Sequence, residues 1–196
     1  RSTLSSSSAA SDVYKRQGVS RSGIVITASR FLNFDRIDSS KIAVCGDSAG
    51  GNIAAVCCIN SKINAGPLIS FQALIYPSTH MGAHYPSKDK YDGYILSKKL
   101  MNWFEEKYID KNQLNDWRAA PILYEDLSNL PESLIVVAGC DPLKDEGISY
   151  GKALLKAGNS SETIYFDGQI HGFLNHQKIL KKNKTLRHRI QQLRKP

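Results

Sequence analysis

The chain has 196 residues, 41% hydrophobic and 22% charged, which is enough apolar sequence for one domain's core and too much for a disordered polymer. Its formal charge of +8 is local. Residues 174–196 hold eight Lys and Arg and no acid, whereas residues 18–173 hold 15 bases and 17 acids, which excludes a basic body built to bind nucleic acid.

In chain order, residues 1–17 come first. They are a Ser-rich tract ending in Asp12–Gln17, six residues that look like the translation of a sequencing-library adapter. A non-native leader is expected there, with a natural disordered leader as the alternative, so fold reasoning starts at Gly18. Ile24–Phe34 reads as a short helix with Ile24, Ala28 and Phe31-Leu32 on one face. Lys41–Cys45 is a short β-branched run, expected as a buried strand that ends in Gly46. Asn52–Asn60 is small and apolar almost all round, as a buried helix would be. Phe71–Tyr76 is a second strand, stopped by Pro77. Residues 78–130 are polar and aromatic, with helical spacing over Leu96–Tyr108. Ser133–Ala138 is a third strand. Pro142–Ala157 follows as a helix with Gly158 as its stop, and Thr163–Phe166 is a fourth strand. In residues 174–196, Ile179, Leu186, Ile190 and Leu193 share a helical spacing, so the charge is the solvated face of a terminal helix; membrane or nucleic-acid contact is the alternative. Strands alternating with helices predict a parallel α/β sheet.

No apolar run approaches the roughly 20 residues of a membrane span, and no signal peptide is visible. Cys45, Cys57, Cys58 and Cys140 lie in apolar runs without metal spacing, so buried thiols in a reducing, cytoplasmic setting are expected. His80 and His84 are four apart, but their loop contains Pro and Gly, which argues against a metal pair; no metal is expected.

Gly46-Asp47-Ser48-Ala49-Gly50 fits G-x-S-x-G between an expected strand and an expected helix. The chain must turn sharply there to expose the Ser48 hydroxyl. Gly46 and Gly50 approach each other where side chains would clash, and Gly51 extends the clearance. The Ala49 backbone N–H, at a helix N-terminus, is a candidate oxyanion donor. A dinucleotide loop is the competing reading, but G-x-G-x-x-G is absent. A nucleophilic serine needs a base, and the base an orienting acid. His171 follows the last strand and Asp141 follows the third, so both would open at the carboxyl edge beside Ser48. The order Ser48, Asp141, His171 is that of the nucleophile-elbow hydrolases. Asp141 is also a candidate N-cap, and His171 a candidate loop histidine.

These motifs and their neighbours carry a resemblance. Lys41–Ala55 with its Gly-Asp-Ser-Ala-Gly-Gly, Leu74–Pro77, Arg118-Ala-Ala-Pro121, Asp141–Gly147 and Asp167–Phe173 look like the hormone-sensitive-lipase family of carboxylesterases, over about Ile24 to Phe173. The resemblance implies an α/β-hydrolase, here the C-terminal part of a mostly parallel sheet flanked by helices. It implies hydrolysis of small acyl or aryl esters without a cofactor. By position, Ser48 would be nucleophile, His171 base and Asp141 its orienting acid. The insert 78–130 would help build the acyl pocket, with Trp103 and Phe104 as lining candidates; ordinary core packing is the alternative for those rings.

The family's upstream His-Gly-Gly segment, strands and cap helices have no counterpart in this sequence. Residues 18–196 are therefore expected to be a partial domain whose first strand shows an open apolar edge. The expected partner is a small-molecule ester, with no nucleic acid and no membrane span. The competing expectations are a catalytically incompetent fragment, a serine peptidase and a receptor-like relative on the same fold.

Overall fold

A computed structural model describes residues 42–110 and 113–176. The expected helix at 24–34, the leader 1–17 and the terminal helix beyond His176 lie outside the described residues. Four strands, β1 (Ile42–Asp47), β2 (Ile69–Ile75), β3 (Glu132–Cys140) and β4 (Ser161–Ile170), form one sheet in the order β1-β2-β3-β4, all parallel. Between them run helices α1 (Ala49–Ile63), α2 (Pro86–Lys90), α3 (Lys98–Tyr108) and α4 (Lys144–Lys156). Among the described residues β1 pairs only with β2.

The side-chain period of two explains why β3 reads as a continuous apolar run. Ile135 and Val137 point to one face, where Ala54, Cys58 and Ile59 of α1 and Tyr150 and Leu154 of α4 cover them. Leu134, Val136 and Ala138 point to the other, against Tyr76, Ile164 and Phe173. Both faces are dry, so β3 has no polar alternation. The same logic applies to α1. Its buried residues run from Gly50 to Val56 without a break, because one side packs on the sheet and the other meets the 78–130 insert, where the Asn52 side chain donates to the Ala119 carbonyl at 2.9 Å.

Element bounds differ from the sequence reading by one to four residues at an end, and two of the differences bear on the site. Helix α4 begins at Lys144, not Pro142. The Asp141 carboxylate accepts the Leu143 N–H at 2.8 Å, and its carbonyl accepts the Lys144 N–H at 3.1 Å, so Pro142 and Leu143 form a turn ahead of the helix. Gly158 ends α4 as read, at φ 88. Strand β4 runs on past Phe166 to Ile170. Ala138 pairs with Phe166, and the next pair is Cys140 with Ile170, so β4 carries two extra residues in a bulge at Asp167–Gln169. Asp167-Gly168 has the composition of a turn, and Gly168 does take φ 66, but pairing resumes beyond it. No helix among the described residues is long and apolar enough to cross a membrane.

Candidate active site

In a parallel sheet all carboxyl ends lie at one edge. Here the residue immediately after each strand is a site residue: Ser48 after β1, Tyr76 after β2, Asp141 after β3 and His171 after β4. The register aligns Asp47 with Ile75 and Cys140 with Ile170, which brings these four successors together. The β4 bulge supplies the extra reach that delivers His171.

Ser48 sits at φ 54 and ψ −119, a conformation L-residues avoid, at the junction of β1 and α1. Its surroundings hold it there. Its N–H donates to the Ile75 carbonyl at 2.9 Å, and its own carbonyl accepts the N–H groups of Asn52 and Ser78, each at 3.2 Å. A methyl group on Gly46 would overlap the Gly50 carbonyl group and lie 2.8 Å from the Gly51 nitrogen. One on Gly51 would lie 2.7 Å from the Pro77 Cβ. Gly46→Ala is therefore expected to cost about 4 kcal/mol or more, because only backbone surrounds it. By contrast, Gly93→Ala meets open space and only a positive φ, and is expected to cost about 1 kcal/mol. Urea melts of the two variants check the contrast.

The His171 Nε2 lies 2.9 Å from the Ser48 Oγ, and its Nδ1 lies 2.8 Å from the Asp141 Oδ2. Asp141 is fully buried and His171 nearly so. Asp141 is not the N-cap of α4, which is Leu143; its Oδ1 accepts the Leu143 N–H in the turn ahead of the helix, and its Oδ2 faces the imidazole. A hydroxyl, an imidazole and a buried carboxylate in this chain of contacts can move a proton from Ser48 to His171 while the carboxylate balances the imidazolium. Ala49 is the first residue of α1 and is exposed, so its N–H is one of the first-turn donors without an intrahelical acceptor.

Trp103 and Phe104 are both on α3. Their rings stack edge-on against each other at 5.3 Å and are about half exposed, so they are neither core nor in ring contact with His171. The α3 helix nevertheless lies at the site edge of the sheet, since its Met101 packs on Leu143, two residues past Asp141. His80 and His84 do not pair: the His80 Nδ1 meets the Tyr85 hydroxyl at 2.8 Å, and the His84 Nε2 meets Asp89 at 3.3 Å.

Two features of the site escaped the sequence. Tyr76, at φ 35 and 1% exposed, sets its ring edge-on to His171 at 4.9 Å and to Phe173 at 5.7 Å. Burial and the neighbouring Asp47 push its phenol well above the ordinary range, so it remains neutral. Glu146 is fully buried in the first turn of α4 and forms an ion pair with Lys88 at 3.0 Å. Burial raises its carboxyl pKa, although Lys88 and the Thr79 and His80 N–H groups pull the other way. The signal for Glu146 was an acid on the helix face that also carries the buried Tyr150, four residues on, and Leu154.

A family described as alpha/beta hydrolase fold matches residues 14–175. The carboxylic ester hydrolase LipN of Mycobacterium tuberculosis is 42% identical over 142 residues, 69% of this chain and 38% of that protein. The ethyl acetate hydrolase of Pseudomonas putida is 32% identical over 150 residues, 74% of this chain and 46% of that protein. Among solved structures, an esterase of Pyrobaculum calidifontis superposes with a TM-score of 0.74 at 40% identity, covering 79% of this chain and 52% of that one. The chain thus spans about half or less of the length of these relatives. With the fold, the elbow and the family match in agreement, the chain belongs to the hormone-sensitive-lipase-type family of α/β-hydrolases.

Proposed function

We propose that the protein is a serine carboxylic-ester hydrolase that works through an acyl-enzyme on small acyl or aryl esters. The contact chain from Ser48 through His171 to Asp141 carries this reading. The Ser48 Oγ attacks the ester carbonyl carbon as the His171 Nε2 takes its proton. The oxygen of the tetrahedral intermediate turns toward the Ala49 N–H at the start of α1. The imidazolium then gives its proton to the leaving alcohol, and the C–O bond of the ester breaks. Water attacks the acyl carbon as His171 takes its proton, the bond from that carbon to the Ser48 Oγ breaks, and the imidazolium returns a proton to Oγ as the acid leaves. The relatives named as ester hydrolases support this reaction class. The four cysteines, none of them in a disulfide, support a reducing, cytoplasmic setting.

Treating the purified chain with a p-nitrophenyl phosphonate and mapping the adduct tests the reading. Modification confined to Ser48, together with hydrolysis of p-nitrophenyl butyrate, is expected. A folded chain that does neither overturns it in favour of an inert fragment, the reading that the half-length coverage of the relatives supports.

Trp103 and Phe104 are proposed to meet the acyl chain, because α3 presents two exposed aromatic rings beside the acid arm of the site. Trp103→Ala is expected to lower kcat/KM for a hexanoyl ester about tenfold while sparing the acetyl ester. Equal losses on both esters would remove these rings from the pocket.

A further inference from the structure

The four residues that follow the strands are not independent. The segment Tyr76–His80 touches two arms of the triad, Ser48 and His171, and the first turn of α4, which follows the third. Tyr76 stacks its ring edge on His171, and the Ser78 N–H donates to the Ser48 carbonyl at 3.2 Å. Thr79, fully buried, donates its N–H to the Glu146 Oε1 at 2.8 Å and its hydroxyl to the Glu146 carbonyl at 2.9 Å. The His80 N–H reaches the same Oε1 at 3.3 Å. Glu146 in turn lies five residues beyond Asp141, in the first turn of α4, and Ser87 ties that stretch down through the Pro142 carbonyl at 2.7 Å and the Asp145 carboxylate at 2.9 Å.

A buried carboxylate that accepts two backbone N–H groups and pairs with a lysine is expensive to desolvate. Replacing such a pair with apolar side chains of the same size is often neutral for stability. Packing alone therefore gives no reason for an acid at 146. A reason does follow from what the acid holds: without it the Thr79 and His80 N–H groups would be buried with no acceptor, and the segment that carries Ser78 and Tyr76 would shift to satisfy them.

We propose that Glu146, held by Lys88, is a positioning residue that clamps the Tyr76–His80 segment and so sets the mutual geometry of Ser48, His171 and Asp141. The inference rests on the esterase reading for its effect on rate, but not for its effect on geometry. Glu146 touches no reacting atom. It acts through the Ser78 N–H on the nucleophile's carbonyl and through the Tyr76 ring on the base. A displacement of about 1 Å in such a site is worth about 100-fold in rate.

The test uses the full chain with two readouts, the second-order rate of phosphonylation of Ser48 and the proton resonance of the His171 Nδ1–H. The double variant Glu146→Leu/Lys88→Met removes the ion pair and the acceptor together. It is expected to stay folded with a lowered melting temperature, to be phosphonylated about 100-fold more slowly and to show a shifted or broadened imidazole resonance. Glu146→Gln/Lys88→Met restores an acceptor for the Thr79 N–H without the charge. It is expected to regain most of that rate, leaving a deficit of about threefold.

A folded Glu146→Leu/Lys88→Met variant with unchanged rate and unchanged resonance overturns the proposal. A parent chain that resists the phosphonate defeats the esterase reading instead, and the resonance then decides this one. Where the double variant does not fold, Thr79→Val replaces it. That change removes only the hydroxyl contact to the Glu146 carbonyl, and it is expected to slow phosphonylation about tenfold; an unchanged rate overturns the proposal.

Discussion

Ser48→Ala is expected to lower kcat/KM for p-nitrophenyl butyrate by about a million-fold while leaving the melting temperature within a few degrees of the parent. The size follows from the division of labour. Without Oγ there is no acyl-enzyme, and His171 has no proton to accept from the attacking group. What remains is the Ala49 N–H and substrate binding, which accelerate the attack of water only weakly. The small stability effect follows from the same geometry, because the Ser48 side chain makes one contact, to His171, while its strained backbone is held by the Ile75, Asn52 and Ser78 hydrogen bonds that alanine keeps. Steady-state rates and thermal melts of parent and variant check both halves. A residual rate near the parent's would mean that Ser48 is not the nucleophile.

Asp141→Asn is the second large effect, expected at about 10,000-fold on kcat, and its direction can be worked out atom by atom. Oδ1 accepts the Leu143 N–H, so the asparagine must keep its oxygen on that side or place two donors head to head. Its NH2 then faces the His171 Nδ1, where Oδ2 now stands. That nitrogen must become an acceptor, which moves the imidazole proton to Nε2 and points it at the Ser48 Oγ. The base is then already protonated on the face that should receive the proton. The Leu143 hydrogen bond survives, so the fold should hold. Imidazole nitrogen chemical shifts would report the tautomer, and kcat the consequence. An Asp141→Asn chain with the parent's tautomer and rate would remove Asp141 from its role.

The two predictions draw on different kinds of information. The elbow could be read from the chain because it is local. Gly46, Ser48 and Gly50 lie within five residues, and the steric demand of a strand turning into a helix leaves no other residue at Gly46. The strands were readable for a similar reason: burial on both faces of a parallel sheet makes β3 apolar at consecutive positions, so five residues sufficed to place it. Asp141 and His171 were singled out one step less directly, from the rule that parallel strands deliver their carboxyl ends to one edge. Their chain order then matched the hydrolase pattern.

Other features were hidden because their causes are distant in sequence. The β4 bulge looks like a turn, since Asp167-Gly168 has turn composition; pairing resumes at Ile170 only because Cys140 of β3 is there to receive it. Tyr76 resembles the last residue of a strand. It takes a positive φ, and its ring partner His171 is 95 positions away. Lys88 and Glu146 are 58 residues apart, on a five-residue helix and in the first turn of another. Each alone reads as a solvated surface charge. The cost of burying them is met only when both are present with Thr79 and His80 to complete the acceptor's shell.

Residue types and short spacings thus sufficed for the kind of fold and for the Gly46–Gly50 elbow that presents Ser48, since steric and covalent constraints act over a few residues. Which polar groups are buried, how far β4 runs and what holds the triad in register depended on the packed state. Desolvation and cross-strand pairing exist only once segments remote in the chain have met.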